Sequence, residues 1–412
     1  MDPRSAKDIV DYAGSLDCIH CGMCVTSCPT WKITGVESSS PRGRIHLMRA
    51  VAEGQLEPDK DYVEEMEFCL LCRHCESVCP SGVKFGAMME IARDGISTRV
   101  GRPLRERFLR WLGFRVLLFQ PGLLRIAATL VRFAQGAGLK LSAPAFPPAA
   151  ERRPLPPLTP ARGERIGSVA ILEGCVMPLL YGRVNRATVD VLAQCGLDVR
   201  CPEPRGCCGS LHAHNGDLEG ARTLAKRTIE AFESVPGEIV VNSAGCSAHM
   251  KDYAHLLEHD EAWKERAKKF VARVRDFSEY LASDRCRAKL LETRGPPRTA
   301  VVAYDDPCHL CHGQGIRSPP RQLLDAIPGL RRVEMQGSES CCGSAGIYSL
   351  LRPSTAAEIL DPKIRAFVES GASTLVTANP GCQMQWEAGF ARAGVDARVV
   401  HLAEILRESR SD

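Results

Sequence analysis

The sequence predicts a mixed α+β and α/β fold, in which a small ferredoxin-like, cysteine-rich module precedes a tandem pair of α/β lobes. Two runs of the form C-x2-C-x2-C-x3-C-P lie near the start of the chain. A second cysteine pattern occurs twice after residue 165, each time beside an apolar segment typical of a buried strand. A proline-rich stretch between the two patterns indicates a domain boundary.

The first part of the chain, residues 1–95, carries the two C-P-terminated runs. Three thiolates of such a run hold three irons of a 4Fe-4S cube, and the fourth reaches the neighbouring cube. The spacing therefore predicts two 4Fe-4S clusters with crossed ligation. The predicted ligands are Cys18, Cys21, Cys24 and Cys79 for one cluster and Cys69, Cys72, Cys75 and Cys28 for the other. A pair of zinc sites is the alternative, since C-x2-C pairs also bind zinc, but two identical runs favour iron and sulfide.

Helical patterns around residues 43–53 and 61–68 lie between the two runs. A module of this size has little apolar core, so bound clusters are expected to supply much of its folding free energy. Gly22 and Gly82 allow the backbone to approach a cluster closely. We expect the module to fold poorly without iron.

Composition indicates a globular protein of two or three domains in a reducing compartment. The 412 residues are 44% hydrophobic and 25% charged, and they include 20 cysteines, many of them in short repeats typical of metal binding. Residues 1–15 lack the apolar segment of a signal peptide. No apolar run in the basic middle region approaches the roughly 20 residues of a membrane-spanning helix. The expected location is the cytoplasm, either free or as a peripheral protein at the inner face of the cytoplasmic membrane.

Positive charge is concentrated in the middle of the chain. Residues 101–165 hold 12 Lys and Arg against 3 Asp and Glu, although the net charge of the whole chain is only +4. Within residues 96–143, basic residues alternate with aliphatic and aromatic ones in two amphipathic segments. These segments either pack on the chain's own core, or contact a partner subunit or a membrane surface. They match no nucleic-acid-reading motif, so no nucleic acid partner is expected. Residues 144–165 follow as a proline-rich linker.

An internal repeat divides the remainder into lobe 1, residues 166–290, and lobe 2, residues 291–412. In each lobe a strand pattern leads to a cysteine, a Cys-Cys-Gly triplet follows, and a second strand pattern leads to a fourth cysteine. Equivalent cysteines lie 133, 134 and 136 residues apart, which identifies a true repeat. Ligands collect at the carboxyl ends of parallel strands, so these cysteines are candidate metal ligands. They are Cys175, Cys207, Cys208 and Cys246 in lobe 1 and Cys308, Cys341, Cys342 and Cys382 in lobe 2.

These motifs resemble the CCG-domain family, which includes a subunit of heterodisulfide reductase and the iron-sulfur subunits of anaerobic glycerol-3-phosphate dehydrogenase and glycolate dehydrogenase (glycolate oxidase). The resemblance to the glycolate dehydrogenase subunits runs nearly from end to end. It rests on the paired N-terminal runs, on the stretches 41–48 and 251–257, and on the segment 341–350, Cys-Cys-Gly-Ser-Ala-Gly-Ile-Tyr-Ser-Leu. The last segment is long and unusual enough to be specific.

The resemblance implies an electron-transfer subunit of an oxidoreductase complex. It would receive electrons from a flavin-containing subunit that oxidises glycolate to glyoxylate, and pass them towards a quinone or a membrane-surface acceptor. No flavin is expected in this chain, since no G-x-G-x-x-G follows a strand to cradle a dinucleotide. The corresponding subunit of a lactate or glycerol-3-phosphate dehydrogenase is an alternative that the sequence does not exclude. A heterodisulfide-reductase-type enzyme and an iron-sulfur redox sensor are alternatives from other classes.

One feature departs from the family pattern. Full CCG repeats end in C-x2-C, whereas Cys246 is followed by His249 and Cys382 by Gln385. Each lobe therefore offers four thiols, for a further iron-sulfur cluster, a zinc ion or no metal at all. His249 is a candidate additional ligand in lobe 1 and Cys311 in lobe 2. Because lobe 2 has the richer supply of ligands, we expect metal there in preference to lobe 1.

The remaining cysteines and histidines carry less information. Three cysteines outside the repeat are interpreted as packing residues: Cys195, Cys201 and Cys286. Four histidines lie close to candidate ligands in the sequence: His212, His214, His309 and His312. An imidazole beside a cluster can tune its potential or carry a proton, although solvent exposure is the simpler expectation for each one. His309 and His312 are the favoured candidates for a redox role.

Overall fold

The computed structural model describes residues 10–100, 102–139, 146–292, 295 and 299–410. The first nine residues of the predicted module, residues 101 and 140–143 of the basic segment and residues 144 and 145 of the linker lie outside the described residues. So do residues 293, 294, 296–298, 411 and 412 of lobe 2. Along the chain there follow a helical cysteine-rich module, a bent pair of helices and two lobes that each contain a mainly parallel sheet. The predicted mixed fold is confirmed.

The cysteine-rich module is helical. Its helices are α1 (Tyr12–Ser15), α2 (Pro29–Thr34), α3 (Pro41–Ala52), α4 (Lys60–Phe68), α5 (His74–Ser77) and α6 (Phe85–Gly95), with a 3-10 turn at Glu37–Ser39 and a π-helical segment at Ile96–Val100. Helices α3 and α4 match the two predicted between the runs. Ser40 caps α3 by accepting a hydrogen bond from Gly43 N, and Asp59 caps α4 in the same manner. The small core between these helices includes four fully buried methionines, Met48, Met66, Met88 and Met89.

The basic middle segment forms a helical elbow, defined here as residues 104–136. It consists of α7 (Leu104–Arg110), which continues as a π-helical segment (Trp111–Leu117), and of α8 (Pro121–Gly136). Pro121 begins α8, because a first helical position needs no amide donor and suits the fixed φ of proline. The two halves are bent by 116°. No single helix of the described residues is long and apolar enough to cross a membrane; only the two halves of the elbow taken together have that length and composition.

Lobe 1 is built on a five-stranded sheet. Its elements are β1 (Leu158–Thr159), β2 (Gly167–Ile171), α9 (Met177–Leu180), α10 (Gly182–Gln194), β3 (Leu197–Arg200), α11 (Ser210–His214), α12 (Leu218–Glu233), β4 (Glu238–Val241), α13 (Ala244–Lys251), α14 (Tyr253–Leu256), α15 (Lys264–Val271), β5 (Val274–Asp276), α16 (Phe277–Leu281) and α17 (Asp284–Glu292). The strand order is β1-β3-β2-β4-β5, and only β1 is antiparallel to its neighbour. Because β1 lies within residues 144–165, the predicted linker contributes the edge strand of this sheet.

Lobe 2 repeats this plan with a four-stranded parallel sheet. Its elements are β6 (Ala300–Tyr304), α18 (Cys308–Cys311), α19 (Ser318–Asp325), β7 (Leu330–Val333), α20 (Tyr348–Leu351), α21 (Pro353–Glu369), β8 (Thr374–Thr377), α22 (Pro380–Ala393), β9 (Arg398–His401) and α23 (Leu402–Glu408). The order β7-β6-β8-β9 matches β3-β2-β4-β5 of lobe 1, which confirms the repeat. In the first sheet the strand order reverses between β2 and β4, because β3 lies on one side of β2 and the later strands lie on the other. In the second sheet it reverses between β6 and β8. A crevice for ligands opens at such a point beyond the carboxyl ends of the strands.

The two lobes share one apolar core. It contains residues of β2 and β4 from lobe 1, of β6 and β8 from lobe 2, and of the helices α10, α16, α19 and α23. Helices α12, α14 and α15 cover the other face of the first sheet, and α21 and α22 cover the other face of the second. Cys195, Cys201 and Cys286 are buried in the shared core, as predicted.

Candidate metal centres

The two cysteine runs of the module fold alike. Each has two residues in the left-handed region, His20 (φ 57°) and Gly22 (φ 85°) in the first run and Leu71 (φ 53°) and Arg73 (φ 61°) in the second. The matching positions are 51 residues apart, as are the matching cysteines. Left-handed residues tighten a loop, so that each run curls around a small space.

Two small cavities divide the eight cysteines as the spacing predicts. One is lined by Cys18, Cys21, Cys24 and Cys79, the other by Cys28, Cys69 and Cys72, and Cys75 lines both. A set of four thiols is the donor set of a 4Fe-4S cube, and the crossed positions of Cys28 and Cys79 fit the predicted ligation. Among the described residues, no three His, Cys, Asp or Glu side chains are placed to hold a single metal ion. The fit therefore rests on the donor chemistry and on the cavities.

Burial raises the pKa of two thiols of the module, Cys24 and Cys75. Burial raises the pKa of Cys75 well above its ordinary value, and the neighbouring Cys69 raises it further. A metal centre would displace these protons, and its positive charge would then balance the buried thiolates.

A buried arginine that the sequence analysis did not single out supports the second ligand set. Arg44 is fully buried and donates to Ser39 O at 2.6 Å and to Thr30 Oγ1 at 3.1 Å. Thr30 Oγ1 in turn lies 3.1 Å from Cys28 Sγ. Arg44 therefore fixes the loop that positions the crossed ligand Cys28. Arg44 lies in the stretch 41–48, and the family resemblance of that stretch was the only feature of the sequence that pointed to this residue.

Lobe 1 brings its four predicted cysteines together beyond the carboxyl ends of β2 and β4. Their side chains form a hydrogen-bonded series that runs Cys175, Cys207, Cys208, Cys246. Hydrogen bonds from Cys175 and Cys208 lower the pKa of Cys207, and the same bonds raise the pKa of Cys175 and of Cys208. The hydrogen bond from Cys208 lowers the pKa of Cys246. These thiols share protons that a metal centre would replace.

Lobe 2 has the same arrangement in the order Cys308, Cys341, Cys342, Cys382. A hydrogen bond with Cys341 raises the pKa of Cys308 and of Cys342, a hydrogen bond with Cys342 raises the pKa of Cys382, and burial raises the pKa of all three. The structure does not bring Cys311 into this series. Its thiol faces the carbonyl oxygens of Cys308 at 3.8 Å and of residue 339 at 4.0 Å, and burial raises its pKa to about 12.

Each Cys-Cys-Gly triplet requires its glycine. Gly209 and Gly343 have φ angles of 91° and 85°, and a Cβ at Gly343 would lie 2.6 Å from Ala356 O. The amide groups of Gly209 and Gly343 donate to Cys207 Sγ and Cys341 Sγ, both at 3.4 Å. Hydrogen bonds from amides to ligand sulfur atoms tune the potential of an iron-sulfur cluster. A side chain at either glycine would disturb both the turn and these bonds.

His249, the candidate additional ligand of lobe 1, is buried on the same helix, α13, as Cys246. Its Nε2 atom has no hydrogen-bond partner in the described part of the chain, and it lies 3.4 Å from the position of a Cβ on Gly209. Burial lowers the pKa of this imidazole, which favours the neutral form that binds metals. The unpartnered buried nitrogen keeps His249 as a candidate ligand.

A buried ion pair lies beneath the cysteines of lobe 2. Lys363 Nζ is 2.6 Å from Asp305 Oδ1, and only 4% and 1% of the two side chains are exposed. The ammonium also donates to Ser338 O at 2.9 Å and to Ser340 O. These carbonyls belong to the loop that leads into Cys341, so Lys363 holds this loop in place.

Lobe 1 has no ionisable residue at the two equivalent positions. Gly209 approaches Ala221 O as Gly343 approaches Ala356 O, which aligns α12 with α21 at an offset of 135 residues. The counterpart of Lys363 is then Thr228, and the counterpart of Asp305, after strand β2, is Leu172. The thiol sets of the two lobes match, but the charges beneath them differ.

Both lobe sets open into one central cavity of about 660 Å³. Its wall includes all eight lobe thiols named above and Cys69 of the module. Most of the other lining side chains are apolar, and the elbow contributes Leu118 and Leu124. Next to the cavity, Cys72 packs in one apolar cluster with Cys341. The second run of the module therefore adjoins lobe 2, and lobe 2 adjoins lobe 1 across the cavity.

The expectation that the neighbouring histidines are solvent-exposed is wrong. His212 is fully buried and contacts a carbonyl of the elbow, and His312 is buried in a stack with His74, with ring centroids 3.9 Å apart. His214 and His309 are half-buried, with ring centroids 5.0 Å apart, and both line the central cavity. Of the two histidines favoured for a redox role, His309 faces the cavity, whereas His312 joins lobe 2 to the module.

A chain of three polar side chains connects the cavity with the module. His214 Nδ1 lies 2.7 Å from Glu90 Oε1, and His214 Nε2 lies 3.0 Å from Ser210 Oγ. Burial lowers the pKa of His214 to about 3 and raises the pKa of Glu90, so burial disfavours the charged form of each group. Such a chain can carry a proton to the cavity wall. Sequence reasoning missed Glu90 because it lies 124 residues from His214.

Comparisons with known families cover both cysteine patterns. Residues 14–83 match the family described as "4Fe-4S dicluster domain", and residues 169–251 and 302–387 each match "Cysteine-rich domain". These segments enclose every predicted ligand. Iron-sulfur binding by the module therefore has support beyond its own spacing.

Two of the named relatives match over nearly the whole chain, and a third matches over part of it. The "Probable glycolate oxidase iron-sulfur subunit" of Bacillus subtilis (strain 168) is 38% identical over 98% of this chain and 96% of that protein. The "Glycolate oxidase iron-sulfur subunit" of Escherichia coli (strain K12) is 34% identical over 95% of this chain and 93% of that protein. "Lactate utilization protein A" of Exiguobacterium sp. is 30% identical over 58% of this chain and 97% of that protein. One solved structure, the crystal structure of a hypothetical protein from Helicobacter pylori, is 10% identical in sequence and has a TM-score of 0.60. The match covers 100% of this chain and 77% of that chain, and it shows a likeness of fold alone.

Proposed function

We propose a function for this chain from one premise: it belongs to the family of glycolate oxidase iron-sulfur subunits. In this proposal the chain is the electron-relay subunit of a glycolate dehydrogenase complex. A flavin-containing partner subunit oxidises glycolate to glyoxylate, and this chain carries the electrons towards a quinone or another acceptor. The chain supplies the iron-sulfur sites and binds no flavin itself. Its proposed location is the cytoplasm.

One observation carries the proposal, namely that neighbouring cysteine sets line a shared cavity or belong to one apolar cluster. Cys75 lines both cavities of the module, Cys72 packs with Cys341 of lobe 2, and Cys69 lines the cavity that the two lobes share. Bound 4Fe-4S clusters transfer single electrons, whereas oxidation of a 2-hydroxy acid removes two and needs a hydride acceptor. The oxidation itself is therefore assigned to the partner subunit.

The ligands are assigned as the spacing and the cavities suggest. The first run with Cys79 would hold one 4Fe-4S cluster, and the second run with Cys28 would hold the other. The four thiols of each lobe would hold a further metal centre, either an iron-sulfur cluster or zinc. In both lobes the amide of the Cys-Cys-Gly glycine would donate to a ligand sulfur, as it already does to the thiol.

The acceptor is assigned to the central cavity. The metal centres of the lobes would fill the part of this cavity next to the thiols, and the mostly apolar remainder of its wall suits a quinone ring. His214 and His309 lie in this wall, so polar atoms are available for the quinone oxygens. The chain from Glu90 through His214 to Ser210 would bring a proton to the same place.

Purification of the tagged chain under anaerobic conditions tests the proposal. We expect a flavoprotein of the glycolate oxidase type to co-purify, and we expect the complex to reduce a quinone analogue when glycolate is added. Absence of any flavoprotein, or glycolate oxidation by the flavin-free chain alone, would contradict the proposal. Lactate is the second candidate substrate, because lactate utilization proteins match 58% of this chain. The same complex, supplied with lactate in place of glycolate, distinguishes the two.

A further inference from the structure

The helical elbow presents an apolar face that nothing in the described structure covers. Helix α7 buries none of its residues, and α8 buries only Ala128. Exposed side chains recur with one spacing, i, i+4 and i+7, in both halves of the elbow. They are Leu104, Phe108 and Trp111 in the first half and Ile126, Leu130 and Phe133 in the second. This spacing places each trio on one face of its helix, and Leu104 and Phe133 are about four-fifths exposed, at 80% and 79%.

The opposite face of the elbow is fixed to lobe 1. The carbonyl oxygen of Phe114, a buried residue, lies 2.8 Å from His212 Nε2, and the ring of Phe119 packs edge-on against the same histidine at 5.3 Å. Arg115 forms an ion pair with Asp217 at 2.6 Å. The fold itself therefore holds the apolar trios outward.

The elbow is also strongly basic. Residues 104–136 contain six arginines and a single acidic residue, Glu106, which is paired with Arg102. Arg105, Arg107 and Arg132 are exposed and form no ion pair with any described residue. Cations are therefore available beside the apolar trios.

We propose that the outer face of the elbow is a docking surface for a bilayer that contains anionic lipid. Aromatic and aliphatic side chains flanked by arginines are typical of helices that lie in the plane of a membrane interface. The arginines would meet anionic headgroups while the two trios enter the acyl boundary. The excess of six arginines over one acidic residue complements the negative charge of an anionic lipid surface. This inference goes beyond the proposed electron relay and does not depend on it.

The elbow also forms part of the wall of the central cavity. The elbow's Leu118 and Leu124 form part of the cavity wall. Residues 350 and 351 also line the cavity, and both are more than half exposed. The same helices therefore carry the proposed docking surface and one side of the cavity.

Co-sedimentation of the intact, iron-loaded chain with lipid vesicles tests the docking surface without any partner subunit or turnover. Vesicles of phosphatidylglycerol and phosphatidylcholine should bind the chain, and vesicles of phosphatidylcholine alone should bind it more weakly. The double variant Leu130→Glu, Phe133→Glu should lose about tenfold or more in affinity. Arg132→Gln should lose up to about fivefold, and only for the anionic vesicles. Val368→Glu, at a site that is 55% exposed on α21, is the matched control and should bind like the unaltered chain.

Several outcomes would overturn the proposal. They are failure of the unaltered chain to bind anionic vesicles, equal binding of both vesicle types, and equal binding by the double variant. Loss of a co-purifying subunit in the double variant would assign the face to a protein partner instead. Conversion of a dimer to a monomer would assign it to a second copy of the chain. Iron content and absorbance spectra of all variants should match the unaltered chain, because the substituted side chains are exposed.

Discussion

Replacing Lys363 with methionine should destabilise lobe 2, because the substitution leaves a buried carboxylate without its counter-ion. Methionine keeps an unbranched side chain of similar reach but removes the charge and the three donors. Lys363 and Asp305 are 2.6 Å apart and almost completely buried. Removal of one partner of a buried pair costs about 3–5 kcal/mol of unfolding free energy, mostly because the other charge remains desolvated. The carbonyl oxygens of Ser338 and Ser340 would lose their donor as well.

A second substitution isolates the pair itself. Asp305→Asn alone should also destabilise the lobe, but in combination with Lys363→Met the total loss should fall short of the sum by about 0.5–3 kcal/mol. The matched control is Lys268→Met. Lys268 forms a surface pair with Glu265 at 2.8 Å, with both side chains more than 60% exposed. Exposed pairs of this kind contribute only about 0–1 kcal/mol.

Thermal unfolding of the anaerobically purified variants measures these losses. At about 2 °C per kcal/mol for a unit of this size, Lys363→Met should lower Tm by about 6–10 °C, and Lys268→Met by no more than about 2 °C. Equal shifts for the two lysines would refute the reasoning. Metal content provides a second readout, because Lys363 holds the loop that leads into Cys341.

Four further predictions concern the cysteines and the division of labour. Cys72→Ser should remove the second cluster of the module and weaken its neighbour through the crossed ligands; unchanged iron content would contradict this. The isolated chain should not oxidise glycolate, and turnover by a flavin-free preparation would argue against the relay. Cys342→Ala should lower metal content and electron transfer to a quinone analogue more than Cys208→Ala does, because lobe 2 has the buried Lys363 beneath its thiols; equal losses would mean that the lobes are equivalent. Cys311→Ser should retain metal, since that thiol faces backbone carbonyls, and loss of metal would return Cys311 to the ligand set.

The ligand groups of the module could be predicted because their determinants are local. Each run spans 11 residues, and its spacing alone fixes how many thiols can reach one centre. The lobe cysteines could be predicted for a related reason, since a repeat reveals equivalent positions and parallel strands deliver them to one edge of each sheet. In both cases the relevant contacts follow from order along the chain.

Residues near a ligand in sequence were harder to interpret. Cys311 lies three positions after Cys308, which suggested a shared centre, yet the single turn of α18 directs its thiol to backbone carbonyls. Four histidines were expected to be exposed, but His214 and His312 contact the module, His309 lines the central cavity and His212 contacts the elbow. The sequence does not show these interfaces. Contacts such as His214 with Glu90 depend on how the parts pack together.

The elbow shows how one turn can divide an amphipathic pattern. A helical period carried through residues 104–119 would place Leu104, Phe108, Trp111 and Phe119 on one apolar face. The turn before Pro121 sends Phe119 inward to His212, whereas the other three side chains remain exposed. A helical period applies only within one continuous helix, so the pattern could not predict this division.

The central claim is that electrons from glycolate enter this chain through a flavin-containing partner, and rapid anaerobic mixing of glycolate with the purified complex tests it most directly. The account predicts that the flavin is reduced first and that the iron-sulfur absorbance of this chain bleaches afterwards. In the Cys72→Ser complex, flavin reduction should persist while reduction of a quinone analogue is lost. Full reduction of the flavin in an intact complex, with no change in the iron-sulfur signal, would contradict the account.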